Sequence, residues 1–177
     1  MVEFRRLAAS EEELGYRLLV DSVAWQPTKG IRLWDRPLPR EVYAARQMRG
    51  ENFGLFEAGG AARTGSAEAS QTLVAAVSLL ASVPEIWHAY VPDPAGPWLA
   101  SLAVAIHGRR LGHLAVEEAR SFLTANGKRI LYLDCARGFL EGFYREHGFR
   151  TIAEGALRNE TTNDLSAVLM VCELAAS

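Results

Sequence analysis

Residues 98–113 read Trp98-Leu99-Ala100-Ser101-Leu102-Ala103-Val104-Ala105-Ile106-His107-Gly108-Arg109-Arg110-Leu111-Gly112-His113. The run 98–106 is apolar but for Ser101 and follows Pro97, so it reads as a buried strand. A turn carrying Gly108 comes next. From Arg109 or Arg110 the period changes: Leu111, Ala115, Ala119, Phe122 and Leu123 form the core side of a helix reaching Ala125, and Asn126-Gly127 supplies a left-handed stop. A strand that enters a glycine-bearing turn and leaves as a long helix has a chemical consequence. The helix N-terminus presents unpaired backbone N–H groups and about half a positive charge, which suits phosphate. Gly108 permits the tight turn, and Gly112 lets phosphates come close to the first helical turn. Arg109 and Arg110 have the wrong sign for the helix dipole, and an anionic ligand would relieve the conflict. Two solvated arginines are the plainer alternative. The spacing is neither a Walker A loop nor G-x-G-x-x-G.

Beyond this helix, 130–135 is a strand, 139–147 a helix stopped by Gly148, and 149–153 and 165–174 are strands separated by a polar loop. Toward the N-terminus, 2–7 is a strand. Ser10 and Glu13 have capping-box spacing, opening a helix that runs to about Val23 with Leu14, Tyr16, Leu18, Leu19 and Val23 as its stripe. Residues 26–39 are loop and 41–48 a short helix. Strands at 53–58 and 72–81 flank a Gly/Ala/Ser-rich turn region, 59–70. The stretch 83–97, with four prolines, is a long loop. This order predicts a mixed α/β (α+β) fold, a twisted mixed sheet of six or seven strands flanked by about four helices, and not a doubly wound sheet.

The 177 residues make one domain, 1–177, with its functional core at about 98–153. A formal net charge of -2 gives no footprint for nucleic acid. The longest apolar run, 73–83, is too short to span a bilayer. Cys135 and Cys172 sit in apolar runs and read as buried thiols in a reducing, cytoplasmic setting. The four histidines and two cysteines show no metal-ligand spacing, so no metal is expected. His113 and His147 read as helix-surface histidines. A homodimer remains open, through edge pairing of the final strand, 165–174.

A second constellation is Gly142-Phe143-Tyr144-Arg145-Glu146-His147-Gly148-Phe149. If strand 130–135 lies parallel beside 98–106, Tyr144 falls near the turn at 107–113. Taken together, Leu102-Ala103-Val104 followed by His107-Gly108-Arg109-Arg110-Leu111-Gly112, then Leu133-Asp134-Cys135, then Phe143-Tyr144 with Gly148-Phe149, resemble the GCN5-related N-acetyltransferase (GNAT) family. The first run is similar to its [QR]-x-x-G-x-[GA] pyrophosphate loop. The chain departs from the family at His107 (Gln or Arg), at Arg110 (glycine), and at Arg137, where an asparagine often stands.

The resemblance implies the GNAT acyl-CoA N-acyltransferase fold and acetyl transfer from acetyl-CoA to a primary amine of a small molecule or peptide, in a ternary complex. It implies a bulged strand splayed from its neighbour, with backbone groups of Leu102 and Val104 against the pantetheine arm and thioester. The pyrophosphate would sit on His107, Gly108, Arg109, Arg110, Leu111, Gly112 and His113. Tyr144 would return a proton to the leaving thiolate. An alkylammonium near pKa ~10 is about one part in a thousand neutral at pH 7, a cost of roughly 4 kcal/mol, so a base or water chain must take its proton. Glu51, Glu85, His88 and Asp93 are the candidates. Trp25 and Trp34 are expected either to close the core or, with Ile31, Leu33 and Tyr43, to wall an acceptor pocket. Glu51, Glu85 and Asp93 favour a cationic acceptor. A non-catalytic acyl-CoA-binding or partner-binding domain, and transfer of a longer acyl group, are the alternatives.

Overall fold

A computed structural model describes residues 2–29, 34–58, 71–157, 161 and 165–174. The elements are β1 (Val2–Arg6), α1 (Glu12–Trp25), α2 (Arg40–Met48), β2 (Asn52–Ala58), β3 (Gln71–Leu80), β4 (Trp98–Val104), α3 (Leu111–Ala125), β5 (Ile130–Ala136), α4 (Phe139–Arg145), β6 (Arg150–Leu157) and β7 (Leu165–Glu173). Short 3-10 turns cover Ala9–Glu11, Gln26–Lys29 and Glu85–Tyr90, the last two inside stretches expected to be plain loop. The turn region 59–70 and the positions of Ile31 and Leu33 lie outside the described residues.

The seven strands form one mixed sheet in the order β1-β2-β3-β4-β5-β7-β6. Every neighbouring pair is antiparallel except β4 and β5, which α3 connects as a crossover. Strand alternation sorts the side chains onto two faces. Val77, Leu79, Leu99, Leu131, Leu133 and Cys135 share a buried cluster with Val116, Ala119 and Leu123 of α3 and Tyr144 of α4. Trp98, Tyr132 and Leu169 pack on the other face with Trp87 of the 3-10 turn. Ser78 points to that second face too, where α2 reaches it through Arg46.

Several boundaries differ from the expectations. The strand expected over 98–106 ends at Val104, and α3 begins at Leu111, not at Arg109 or Arg110. The cap of the first helical segment is not the Ser10–Glu13 pair. Glu11 accepts the Ala8 N–H at 2.7 Å, and its carboxylate is anchored by both terminal nitrogens of Arg5 at 2.8 Å. This anchor to β1 rotates the helix, so Leu14 is 49% exposed and the buried face is Gly15, Leu19 and Ser22. Small residues serve there because α1 lies tight on its neighbours: a Cβ on Gly15 would stand 2.2 Å from the Tyr43 hydroxyl. The final strand is not an edge. β7 is enclosed between β5 and β6, with residues 167–172 buried, and the sheet's edges are β1 and β6. The edge-pairing route to a homodimer therefore falls away.

Candidate active site

The site begins at an irregularity in β4. Ala76 pairs with Ala103 and Ser78 with Ala100, so Ser101 and Leu102 stand opposite the single Val77. The result is a β-bulge. Ser101 has φ 55, a left-handed value that costs a non-glycine residue about 1–2 kcal/mol. Polar contacts hold it there. Arg46 Nη1 donates to Ser101 Oγ at 3.0 Å and reaches Ser78 Oγ at 3.5 Å. The Ser78 hydroxyl donates to Asn52 Oδ1 at 2.8 Å, and Asn52 Nδ2 donates to the Tyr43 carbonyl at 3.2 Å. Three strands and α2 thus fix the bulge. On the other side of β4, the only register pair with β5 among the described residues is Trp98 with Tyr132. Past it the two parallel strands part, and a cavity of about 590 Å³ occupies the opening.

The turn after β4 follows from this geometry. The Ala105 N–H donates to the Val74 carbonyl at 2.9 Å. Gly108 takes φ 87, which glycine alone adopts readily, and Arg110 takes φ 57 as the N-cap of α3 without a side-chain cap bond. A long helix therefore opens onto the cavity with no side chain of its cap residue on its first N–H groups. Leu102, Val104, His107, Gly108, Arg110, Leu111, Gly112 and His113 all line the cavity, as does Tyr144. Arg109 does not. Its guanidinium is bound to the Glu57 carboxylate at 3.0 and 3.3 Å, so a residue of β2, not a ligand, answers that charge.

Two histidines lie otherwise than expected. His107 stacks flat on Trp25, ring centroids 3.5 Å apart and planes at 6°, tying the end of α1 to the turn. His113 and His147 are not surface groups. His147 is buried, and its Nε2 lies 3.0 Å from His113 Nδ1, both rings resting on Phe143. Burial, then the neighbouring His113, lowers the His147 pKa.

Tyr144 is buried between Phe143 and Phe149. Burial, then Cys135 and Asp134, pushes its phenol well above the ordinary value. Cys135 is pushed up to about 12, chiefly by burial, which makes it an inert core thiol, and burial raises Cys172 as well. Arg46, Ser101 and Asp134, to which the sequence assigned no role in the site, also stand on the cavity wall. Asp134 accepts the Trp87 indole N–H at 2.8 Å. Burial raises it to about 6, against the lowering pull of that hydrogen bond. An acidic residue inside the apolar strand run 130–135 was the signal that could have found it.

Trp25 and Trp34 both line the cavity, and Trp34 also packs on the Leu19, Leu38 and Tyr43 cluster. Tyr43 itself is core. The candidate bases lie outside the cavity lining. Glu51 is bound by Arg49 at 2.7 and 2.9 Å, and Glu85 is exposed on the 3-10 turn. His88 Nε2 contacts the Val83 carbonyl at 2.8 Å, and Asp93 accepts the Ala95 N–H at 3.0 Å. A cationic acceptor therefore draws no support from Glu51, Glu85 or Asp93. Arg137, at the position of the family's asparagine, is ion-paired with Glu154 of β6. Among the described residues no three His, Cys, Asp or Glu side chains come together as a metal site, and no helix is long and apolar enough to cross a membrane.

No protein-family model and no curated protein matches the chain. Solved structures do. A GNAT-family acetyltransferase from Listeria monocytogenes superposes with a TM-score of 0.70 at 17% identity, covering 98% of this chain and 95% of that one. An N-acetyltransferase from Staphylococcus aureus Mu50 gives 0.69 at 14% identity, with 98% of each chain covered. A Salmonella typhimurium structure that contains acetyl-CoA as its cofactor gives 0.63 at 14% identity, over 99% of this chain and 95% of that one. The chain thus has the fold of the GNAT acetyltransferases.

Proposed function

We propose that this chain is an N-acetyltransferase that moves the acetyl group of acetyl-CoA directly onto a primary amine. The observation that carries the reading is the bulge at Ser101 beside the parting of β4 from β5, which opens next to the N-terminus of α3, where the N-cap residue makes no side-chain capping bond. A slot with a free strand edge suits the pantetheine arm, with Leu102 and Val104 supplying backbone groups along it. Main-chain N–H groups between Gly108 and His113 suit the diphosphate. Fixed N–H dipoles at a developing oxyanion contribute about 3–4 kcal/mol in other acyl-transfer enzymes, and the bulge is the place for them here. Fold neighbours that carry acetyl-CoA or CoA support the choice of co-substrate.

Tyr144 protonates the leaving thiolate. A phenol is a weaker acid than a thiol even in water, and burial weakens it further. The transfer still goes forward, because the same dry surroundings raise the basicity of the thiolate formed beside it. The acceptor enters from the side of Trp25 and Trp34, whose rings wall the cavity. Thiol release from acetyl-CoA over a panel of primary amines tests the reading. At least one amine should accelerate release, and Tyr144→Phe should lower kcat at least tenfold while leaving acetyl-CoA affinity unchanged. An unchanged rate removes Tyr144 from the mechanism, and no release with any amine removes the transferase.

A further inference from the structure

Asp134 and Cys135 are neighbours on β5 and so point to opposite faces of the sheet. Cys135 shares its cluster with Tyr144, on the side of α3 and α4. Asp134 meets Trp87 on the other side, where Arg46 of α2 reaches Ser78 and Ser101. Both faces open into the same cavity, at the gap between β4 and β5. A thioester in that gap has a phenol on one side and a carboxylate on the other. Among the described residues lining the cavity, Asp134 is the one carboxylate. The indole of Trp87, buried and donating at 2.8 Å, fixes its orientation.

Resting on the transferase reading, we infer that Asp134 is the catalytic base, taking the acceptor's proton on the face of the sheet opposite Tyr144. The steps balance. The ammonium N–H breaks and its proton passes through the Asp134 carboxylate to water. The freed lone pair forms the C–N bond at the thioester carbonyl. Asp134 then takes the second nitrogen-bound proton as the C–S bond breaks, and the thiolate takes the proton of Tyr144. Exchange with water restores the carboxylate and the phenol, leaving one proton in solution per turnover. The titratable and polar groups around the carboxylate are Trp87 from the 3-10 turn, Cys135 beside it and Tyr144 from α4, with Arg46 of α2 sharing the cavity. Its raised pKa, near 6, puts it in the range where a base both ionises and accepts a proton at neutral pH.

The test is thiol release from acetyl-CoA with phenethylamine, chosen to suit the tryptophan wall, and with its β,β-difluoro analogue, a much weaker base of the same shape. Asp134→Asn is expected to lower kcat with phenethylamine by about a hundredfold or more at pH 7, leaving the acetyl-CoA KM unchanged. With the difluoro analogue, largely neutral already, the loss should be several times smaller. Trp87→Phe keeps the carboxylate but removes the donor that favours its charged form, so the acid limb of kcat/KM should move to higher pH. Equal losses with both amines, or no loss with either, overturn the assignment alone. Wild-type protein that releases no thiol with either amine overturns the transferase reading and this assignment with it. Should Asp134→Asn fail to fold, the Trp87→Phe limb decides, and an unmoved limb overturns the assignment.

Discussion

If Asp134 is a desolvated carboxylate kept for chemistry, replacing it should make the protein more stable. Its pKa moves from 3.8 to about 6, burial being the leading cause. A raised pKa means that the native state holds the proton more tightly than the unfolded chain does. The stabilisation is therefore full below about pH 4 and is lost as pH rises through about 6. The shift of about two units, at about 1.36 kcal/mol each, sets an upper bound of about 3 kcal/mol on the cost of ionised Asp134 at pH 8. Asp134 is only half-buried by accessible surface and stands on the cavity wall, so part of that cost is discounted and about 1–2 kcal/mol is the working figure. Asparagine retains an oxygen to accept the Trp87 N–H and has no charge to bury. Asp134→Asn should then raise Tm by about 2–8 °C at pH 8, at roughly 2–4 °C per kcal/mol for a domain of this size. Calorimetry from pH 3.5 to 8.5 is the assay. The two proteins should melt together near pH 4 and diverge above pH 6, the variant higher. A variant less stable by the same margin at every pH would show that the carboxylate is not desolvated. Activity should move the other way, the usual exchange between a strained site and stability.

Two further outcomes follow from the turn and the histidine pair. Gly108→Val meets no neighbour within 4 Å but must hold φ 87. A turn that relaxes from this conformation in the free protein must be re-formed on binding at a cost of about 1–2 kcal/mol, so titration calorimetry should show acetyl-CoA binding about 5- to 30-fold weaker in a protein that still folds. Burial, then His113, lowers the pKa of His147, so the native state holds its proton less tightly than the unfolded chain and stability is lost as pH falls through the ordinary histidine value. Among the charges at that spot, His113 and Arg120 oppose its protonation, and Glu117 and Glu146 favour it. His147→Gln should lose less Tm than wild type between pH 7.5 and 5, as measured by thermal denaturation, and an equal loss would contradict the assignment.

The fold was legible where local pattern and tertiary packing agree. The switch from an apolar run to helical spacing at 107–111 located β4, the turn and α3 to within two or three residues. The parallel crossover to β5 followed, and with it the placement of Tyr144 on the cavity wall. What failed depends on contacts distant in sequence. Arg109 looked like a ligand for an anion because its partner, Glu57, lies 52 residues away. Leu14 looked like core because the anchor that turns α1 is Arg5 on β1. β7 looked like an edge because the last strand in sequence is not the last in the sheet. Candidate bases were sought at strand starts and in the loop before β4, where titratable groups are common. Asp134 stands inside a strand, where an acid is unusual and therefore the more telling residue.

The proposed chemistry depends most on where acetyl-CoA sits. A crystal structure of the complex tests this directly. The diphosphate should be held by main-chain N–H groups between Gly108 and His113, with the thioester in the gap between β4 and β5 beside Ser101 and within reach of Tyr144. A cofactor bound elsewhere, or a turn filled by the side chain of Arg110, would contradict it.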